Sequence, residues 1–453
     1  MRNDKHDLTE GGILSKLLVV AMPIMGTQVM QMAYNLIDMM WLGRLSADAV
    51  AASGTAGMYL WLSMGFFILG SMGTEIGVSQ SMGRKDTEAA QKFSQNGTFI
   101  ALVLGVFFGG AMIIFTRPLI GIFNIQEAHV AEDAMAYLKI VSISMPYFFV
   151  SAVMRGAFTA SGNARLPFYI NAVGITLNIV LDPLFIFTFG WGIEGAAWAT
   201  VVAQGVVFIL SVLAIKLHKD RPFEKYKFFV KPDFEKIKRI LRWSFPVALE
   251  SLLFTSLAMI TTRILAEFGM EALTVQRVGS QVEALSWLIG GGFGAAVTIF
   301  MGQNYGARKW GRMHRGFSIS LGAMTVWGIV VSLGLFFGGY IIFSAFIEEH
   351  EIRMMGVTYL KIFALSQIPM CVEAVAAGSF RGKGKTVPPS VASITSNVIR
   401  VPLVYFLSKT PLGLDGIWWG IVISTVFRSA WILGWYLFSK RNEPQDDAVT
   451  ENL

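Results

Sequence analysis

An all-α polytopic membrane protein, with twelve transmembrane helices forming two six-helix lobes, is the fold class that the sequence predicts. Three observations carry it. The 453 residues are 54% hydrophobic and only 15% charged, with a mean hydropathy of +0.56, whereas a soluble domain carries about 25% charged residues. Apolar runs of spanning length recur from one end of the chain to the other. The second half of the chain also repeats the first.

A helix needs about 20 mostly apolar residues to cross a bilayer, and lipid leaves every backbone N–H and C=O to be satisfied within the helix. Such runs fall in order at 14–42, 49–80, 93–115, 133–160, 166–188, 193–217, 236–267, 272–305, 315–346, 354–382, 388–408 and 413–438. Length alone would suggest about three soluble domains, but no polar stretch is long enough to hold one. The opening MRNDKHDLTEGGILSK mixes acids with bases and has no small-residue cleavage site, so the first span is expected to remain in the mature protein.

The net charge of +7 is a topology signal rather than a nucleic-acid signal, because the bases sit in short segments between apolar runs. Arg84, Lys85 and Lys92, then Arg155 and Arg165, then Arg308, Lys309, Arg312 and Arg315, then Arg381, Lys383 and Lys385 mark one side, and the stretch from Lys216 to Arg242 is the richest. Alternate connections are acidic, at Glu127, Glu132 and Asp133, at Glu194, at Glu267 and Glu271, at Glu348, Glu349 and Glu351, and at Asp415. Lys and Arg are retained in the cytoplasm, so both termini are expected there, in a multi-pass protein of the plasma membrane.

The repeat is ordered. An offset of 223 places Pro23 on Pro246, Asp48 on Glu271, Gln80 on Gln303 and Gly83 on Gly306. At 222, YLKI at 137–140 falls on 359–362, and Gly156, Phe158, Gly162 and Pro167 fall on Gly378, Phe380, Gly384 and Pro389. GIEGAAW at 192–198 answers GLDGIWW at 413–419. The expected organisation is a lobe of six spans at 1–215, a cytoplasmic linker at 216–235, and a second lobe at 236–453 ending in a short cytoplasmic tail. Six is even, so both halves enter the membrane in the same orientation, an architecture suited to alternating access.

Enzyme readings find little support. One cysteine, Cys371, excludes a disulfide framework, and five scattered histidines do not make a metal site. Neither HExxH nor GxSxG occurs, and GSFRGKGKT at 378–386 has Ser379 where a phosphate loop would need glycine. GGGFG at 290–294 reads as close helix packing or a flexible point. No enzymatic activity, organic cofactor or nucleic-acid partner is expected.

Ionisable groups within spans cost about 2.5–3.5 kcal/mol on insertion scales and are functional candidates by default. Asp38 lies in the first span, in QMAYNLIDMMWLG, and Asp182 in the fifth, in LNIVLDPLFIF. Tyr34 shares the helix face of Asp38, Asn178 shares that of Asp182, and Thr200 adds a hydroxyl from the sixth span. If the two carboxylates converge they cannot easily both be ionised, so one holds a proton or a cation lies between them. The plainer alternative is a pairing with Arg44 or Arg155. The second half does not copy the aspartates: Asp38 falls on Thr261, and Glu250, Arg263, Glu373 and Arg400 are read as charges that pair internally.

The six-plus-six repeat, IDMMWLG, the Gln80/Gly83 pair and its copy at Gln303/Gly306, RGAFTASGNARLP, LNIVLDPLFIF and GSFRGKG together resemble the multidrug and toxic compound extrusion (MATE) transporters over nearly the whole chain. Within that family the chain is more similar to the DinF-like branch than to the NorM branch. The resemblance implies a V-shaped pair of lobes and an antiporter that expels amphiphilic, often cationic, compounds while H⁺ or Na⁺ enters. It implies an ion site at Asp38, Asn178, Asp182 and Thr200, which could hold Na⁺, with Tyr34 and Tyr137 as neighbours and Pro23 bending the first helix. A monomer in contact with membrane lipid is expected. A lipid or lipid-linked oligosaccharide flippase of related architecture stays open as the alternative.

Overall fold

The computed structural model describes residues 6–228 and 230–441, with Leu285 described for its backbone alone, and the described residues are helical with no strand. The helices are α1 Ile13–Leu45, α2 Ala47–Gly83, α3 Thr87–Ile114, the short α4 Thr116–Gly121, α5 Ala128–Ser142, α6 Met145–Ala160, α7 Arg165–Pro183, α8 Gly192–Leu217, α9 Phe234–Ala266, α10 Met270–Gly306, α11 Trp310–Ser344, α12 His350–Gly382, α13 Val387–Ser408 and α14 Leu414–Arg441. Eleven spans are long and apolar enough to cross a membrane, and α5 with α6, bent by 47°, makes a twelfth. The expected cytoplasmic tail lies outside the described residues beyond Arg441.

Local chemistry accounts for several boundaries. Ser46 and Asp86 cap α2 and α3, accepting from the Ala49 and Ala89 backbone N–H groups at 2.9 Å each and so satisfying donors that a helix start leaves free. Along the spans large apolar side chains turn outward, including Phe107 (68% exposed) and Phe337 (76%). Such a surface fits hydrocarbon rather than water. Arg155, read from sequence as a loop base, instead lies inside α6, where it donates to Ser151 Oγ at 2.9 Å.

The repeat survives as geometry. The carboxyl ends of α2 and α10 close with the same turn: Lys85 (φ 61°) and Arg308 (φ 58°), 223 residues apart, both adopt the left-handed conformation. The Asp86 N–H reaches Ser81 O and the Lys309 N–H reaches Asn304 O, each at 3.0 Å. After α6 and α12, the Asn163 N–H to Phe158 O bond (3.1 Å) is matched by Lys385 N–H to Phe380 O (3.0 Å). Equivalent backbone bonds at equivalent positions are what two copies of one six-span unit require.

Packing units and sequence halves do not coincide. One compact unit holds the described residues up to Asp7 together with those of Gly26–Ala248, and the other holds Leu8–Met25 with the described residues from Leu249 onward. The division therefore departs from boundaries at 215 and 236, because the chain changes unit inside α1 and inside α9. Each change comes two residues after a proline, Pro23 or Pro246, where the missing N–H removes one bond from the helical ladder. Both helices run on through their prolines.

In the first unit, α3 packs against α2 and α6, and α7 against α8, around a core that includes Phe93, Phe108, Phe149 and Phe158. The segment between the halves belongs to this core rather than hanging as a linker, since Phe223 is fully buried and Tyr226 is 7% exposed. The Tyr226 hydroxyl sits between Ser94 (3.1 Å) and Thr98 (3.0 Å), and burial raises its pKa. The side-chain amides of Gln91 and Gln95 donate to the Lys225 and Lys227 carbonyls. In the second unit, α12 packs on α10, α11 and α14, with Tyr359, Phe363 and Trp418 at the core.

Gly73 shows how closely the start of α9 is held within the first unit: a Cβ there would lie 2.3 Å from Ile240 O, and its N–H donates to Ser244 Oγ at 2.8 Å. Gly73→Val is expected to destabilise the purified protein by about 1–3 kcal/mol through overpacking. Gly54→Ala, with nothing within 4 Å of the added carbon, should stay within about 0.5 kcal/mol of the wild type. Thermal unfolding in detergent compares the two.

Candidate functional site

The first unit gathers every polar group singled out around the two aspartates. Asp38 comes from α1, and Asp182 stands one residue before Pro183, which ends α7. A π-helical turn, Leu184–Thr188, follows at once, with the Phe189 N–H bonded to Leu184 O at 2.9 Å. Such a widened turn re-aims side chains and is frequent at functional sites; nothing in LNIVLDPLFIF beyond its proline signals it. Asp182 is fully buried, Asn178 is 3% exposed and Asp38 is half-buried.

Asn178 Nδ2 donates to Asp182 Oδ1 at 3.1 Å, the i, i+4 pairing that the spacing predicts. The Asp38 and Asp182 carboxyls stand within hydrogen-bonding reach of each other. Tyr34 and Tyr137, from α1 and α5, lie beside the two aspartates and Thr200 of α8, and the Thr200 hydroxyl donates to Ala196 O at 3.2 Å. All six residues named from the sequence therefore meet in one place.

Three buried oxygens in this cluster receive no hydrogen bond: Asp38 Oδ1, Asn178 Oδ1 and Asp182 Oδ2. No cation compensates the aspartates among the described residues. Arg44 lies over the Trp41 ring at 5.0 Å from its centroid, and Arg155 is bonded to Ser151. The pairing with Arg44 or Arg155 is therefore not what forms. Oxygen ligands with no donor suit a proton or a hard cation such as Na⁺. The described residues hold no group of three or more His, Cys, Asp or Glu around a metal position, and the set here is two carboxylates with neutral oxygens.

The second unit handles charge differently. Glu373 is bound by Arg428 Nε at 2.8 Å. Glu250 Oε2 accepts from Ser390 Oγ at 2.9 Å and from Arg381 at 3.4 Å. Arg400 donates to Ser424 Oγ at 2.8 Å, while Arg263 is exposed on α9. The expected pairing among these four charges does not form: Glu250, Glu373 and Arg400 find partners elsewhere, because Arg381 and Arg428 are the cations that α12 and α14 bring within reach of the acids. Thr261, the counterpart of Asp38, is bonded to its own helix at Leu257 O. Glu75 and Glu283, also within spans, are acids that the sequence reading passed over; the rule that picked out Asp38 would have picked them too.

These features define a helical membrane protein of two repeated six-span halves, one of which holds an uncompensated pair of carboxylates. The chain belongs to the MatE family of transporters, whose profile matches residues 23–184 and again 246–406. Each match begins at the repeated proline. It is 29% identical to the probable multidrug resistance protein NorM of Thermotoga maritima, over 94% of this chain and 93% of that one. It is 27% identical to the probable multidrug resistance protein YpnP of Bacillus subtilis, over 96% and 97%. The leaning towards a DinF-like branch finds no counterpart in these names. In fold it matches an outward-facing multidrug-resistance MATE transporter of the MOP superfamily, with a TM-score of 0.91 at 21% identity over 97% of this chain and 99% of that one. A MOP-superfamily transporter from Pyrococcus furiosus gives 0.90 at 21% identity, with the same coverage.

Removing one partner of a buried ion pair leaves the other uncompensated, at a cost of about 3–5 kcal/mol. Arg428→Met is therefore expected to lower the unfolding midpoint and the yield of monodisperse protein, and adding Glu373→Gln to recover most of the loss. Fluorescence-detected size exclusion and thermal melts of the three variants check this.

Proposed function

We propose that the protein is an ion-coupled exporter of amphiphilic, often cationic, compounds across the plasma membrane, working by alternating access with H⁺ or Na⁺ entering in exchange. The observation that carries this reading is the Asp38–Asp182 pair, joined within hydrogen-bonding reach, uncompensated by any described cation and lined by donor-free buried oxygens. Family membership and relatives named for multidrug resistance support the export direction. The same residues serve as the coupling site: Asp38 and Asp182 hold the ion, Asn178 fixes one Asp182 oxygen, and Thr200 with Tyr34 and Tyr137 supplies neutral oxygens at the rim.

Coupling follows from charge competition. With the carboxylates ionised, the site favours a cationic substrate; once a proton or Na⁺ neutralises them, it does not, and the ion displaces the drug. A ligand shifts a conformational equilibrium only by its differential affinity for the two states, and couplings of this kind are about 1–3 kcal/mol. The alternation of basic and acidic segments supports a cytoplasmic position for both termini. The transporter acts as a monomer, and no catalytic step is needed.

Efflux of ethidium in everted vesicles tests the assignment. Asp38→Asn and Asp182→Asn are each expected to cut ion-driven efflux by roughly 5- to 150-fold, the span of a 1–3 kcal/mol coupling, with the protein still inserted and folded. Full transport and full ion dependence in both variants would overturn the site. Separately imposed ΔpH and Na⁺ gradients in proteoliposomes then identify the coupling ion.

A further inference from the structure

The segment that joins the two halves carries nearly all of the chain's surplus charge. Residues 216–242 hold ten Lys and Arg against four Asp and Glu, a net of +6 out of +7 for the whole protein. Nine of the ten bases are exposed. Among the described residues six of them, Lys219, Lys225, Lys227, Lys231, Lys238 and Arg242, form no ion pair and no side-chain hydrogen bond. Lys92 on neighbouring α3 is by contrast tied to Glu88 at 2.7 Å.

The backbone beneath these bases is fixed. Gln91 and Gln95 of α3 donate to the Lys225 and Lys227 carbonyls at 2.8 and 2.9 Å, and the Asp233 N–H donates to Asn96 Oδ1 at 2.8 Å. Phe223 and Tyr226 are sunk in the core of the first unit, so Lys225 and Lys227, on either side of Tyr226, are left on the outer face. Apolar side chains stand among the bases there: Leu217 is 72% exposed, Val230 44% and Phe234 79%. Water penalises that exposure, whereas the boundary between lipid headgroups and acyl chains favours large apolar groups beside Lys and Arg. Leu217 ends α8 and Phe234 begins α9, so both stand at the ends of helices long and apolar enough to cross the bilayer.

We propose that this segment is a binding surface for anionic phospholipid headgroups of the cytoplasmic leaflet, with Lys225, Lys227 and Lys231 meeting the phosphates and Phe234 and Leu217 entering the acyl boundary. Basic clusters of this size beside a membrane span attract anionic lipid, each base contributing about 5-fold in affinity at low salt. The occupant is a lipid rather than a soluble anion because apolar side chains are set among the charges. That the leaflet is the cytoplasmic one rests on the topology read from charge; the binding itself is measured without transport.

Native mass spectrometry of the full-length protein, equilibrated in micelles with equal amounts of phosphatidylglycerol and phosphatidylcholine, provides the test. The wild type is expected to retain phosphatidylglycerol in preference, and Lys225→Gln/Lys227→Gln/Lys231→Gln to lower that preference by about 5-fold for each base. Glu224→Lys, which adds a base to the same exposed strap, should raise it, and gives the readout if the triple variant does not fold. Lys385→Gln/Lys440→Gln/Arg441→Gln removes as many bases from the second unit and should leave the preference unchanged. Equal retention of the two lipids by the wild type would overturn the proposal, as would an equal loss in both triple variants. Phe234→Ser, with every base in place, should weaken retention several-fold; retention at the wild-type level would remove the case for a lipid. Inorganic phosphate at matched concentration should leave the lipid bound, and displacement by it would assign the surface to a soluble anion instead.

Discussion

An ionised carboxylate within a membrane-spanning bundle must be compensated, and this constraint organises the polar interior of both halves. Water is absent from the hydrocarbon region, so a carboxylate there takes an arginine, a proton or a cation as its partner. The second unit supplies arginines, Arg381 for Glu250 and Arg428 for Glu373. The first supplies none for Asp38 and Asp182, and surrounds them instead with an amide and three hydroxyls. A fixed arginine makes a permanent tie; neutral oxygens do not. Two copies of one fold thus carry opposite solutions to one electrostatic problem.

The backbone obeys the related constraint that every N–H and C=O must be met without water. Helices meet it along their length, and the special features fall where a helix cannot. Pro183 and the π-helical turn after it interrupt the ladder beside Asp182, and Pro23 and Pro246 remove one bond each just before α1 and α9 change packing unit. Irregular backbone thus occurs next to the candidate site and at the two points where the chain changes unit, besides the bend between α5 and α6 and the prolines inside α12 and α13, Pro369 and Pro402. The strap at 218–233 solves its own version of the problem by lending its carbonyls to Gln91 and Gln95.

Much of the candidate site was legible because its residues break the apolar pattern at helical spacing. Asp38, Asn178 and Asp182 are rare polar groups in greasy spans, and Asn178–Asp182 is a contact within one helix that needs no knowledge of the fold. The arginine partners were not legible in the same way. Arg381 and Arg428 reach Glu250 and Glu373 across 131 and 55 residues of sequence, and the approach of α12 to α9 and to α14 decides these pairings, not any local pattern. Glu283 falls under the same rule as Asp38 and was passed over; its tyrosine partner, 76 residues away on another helix, was not legible at all.

Hydropathy, charge alternation and the 223-residue offset by themselves determined the class, the twelve spans and the duplication, since spanning length and backbone satisfaction leave a helix few alternatives. The tertiary structure alone decided that the segment after α8 packs into the first unit, that α1 and α9 each belong to both units, and which charges are paired. The physical reason is common to all three. Periodicity along a chain reports what each helix must hide from water or show to lipid, but which side chains then meet depends on how the helices cross, and that is settled only by packing.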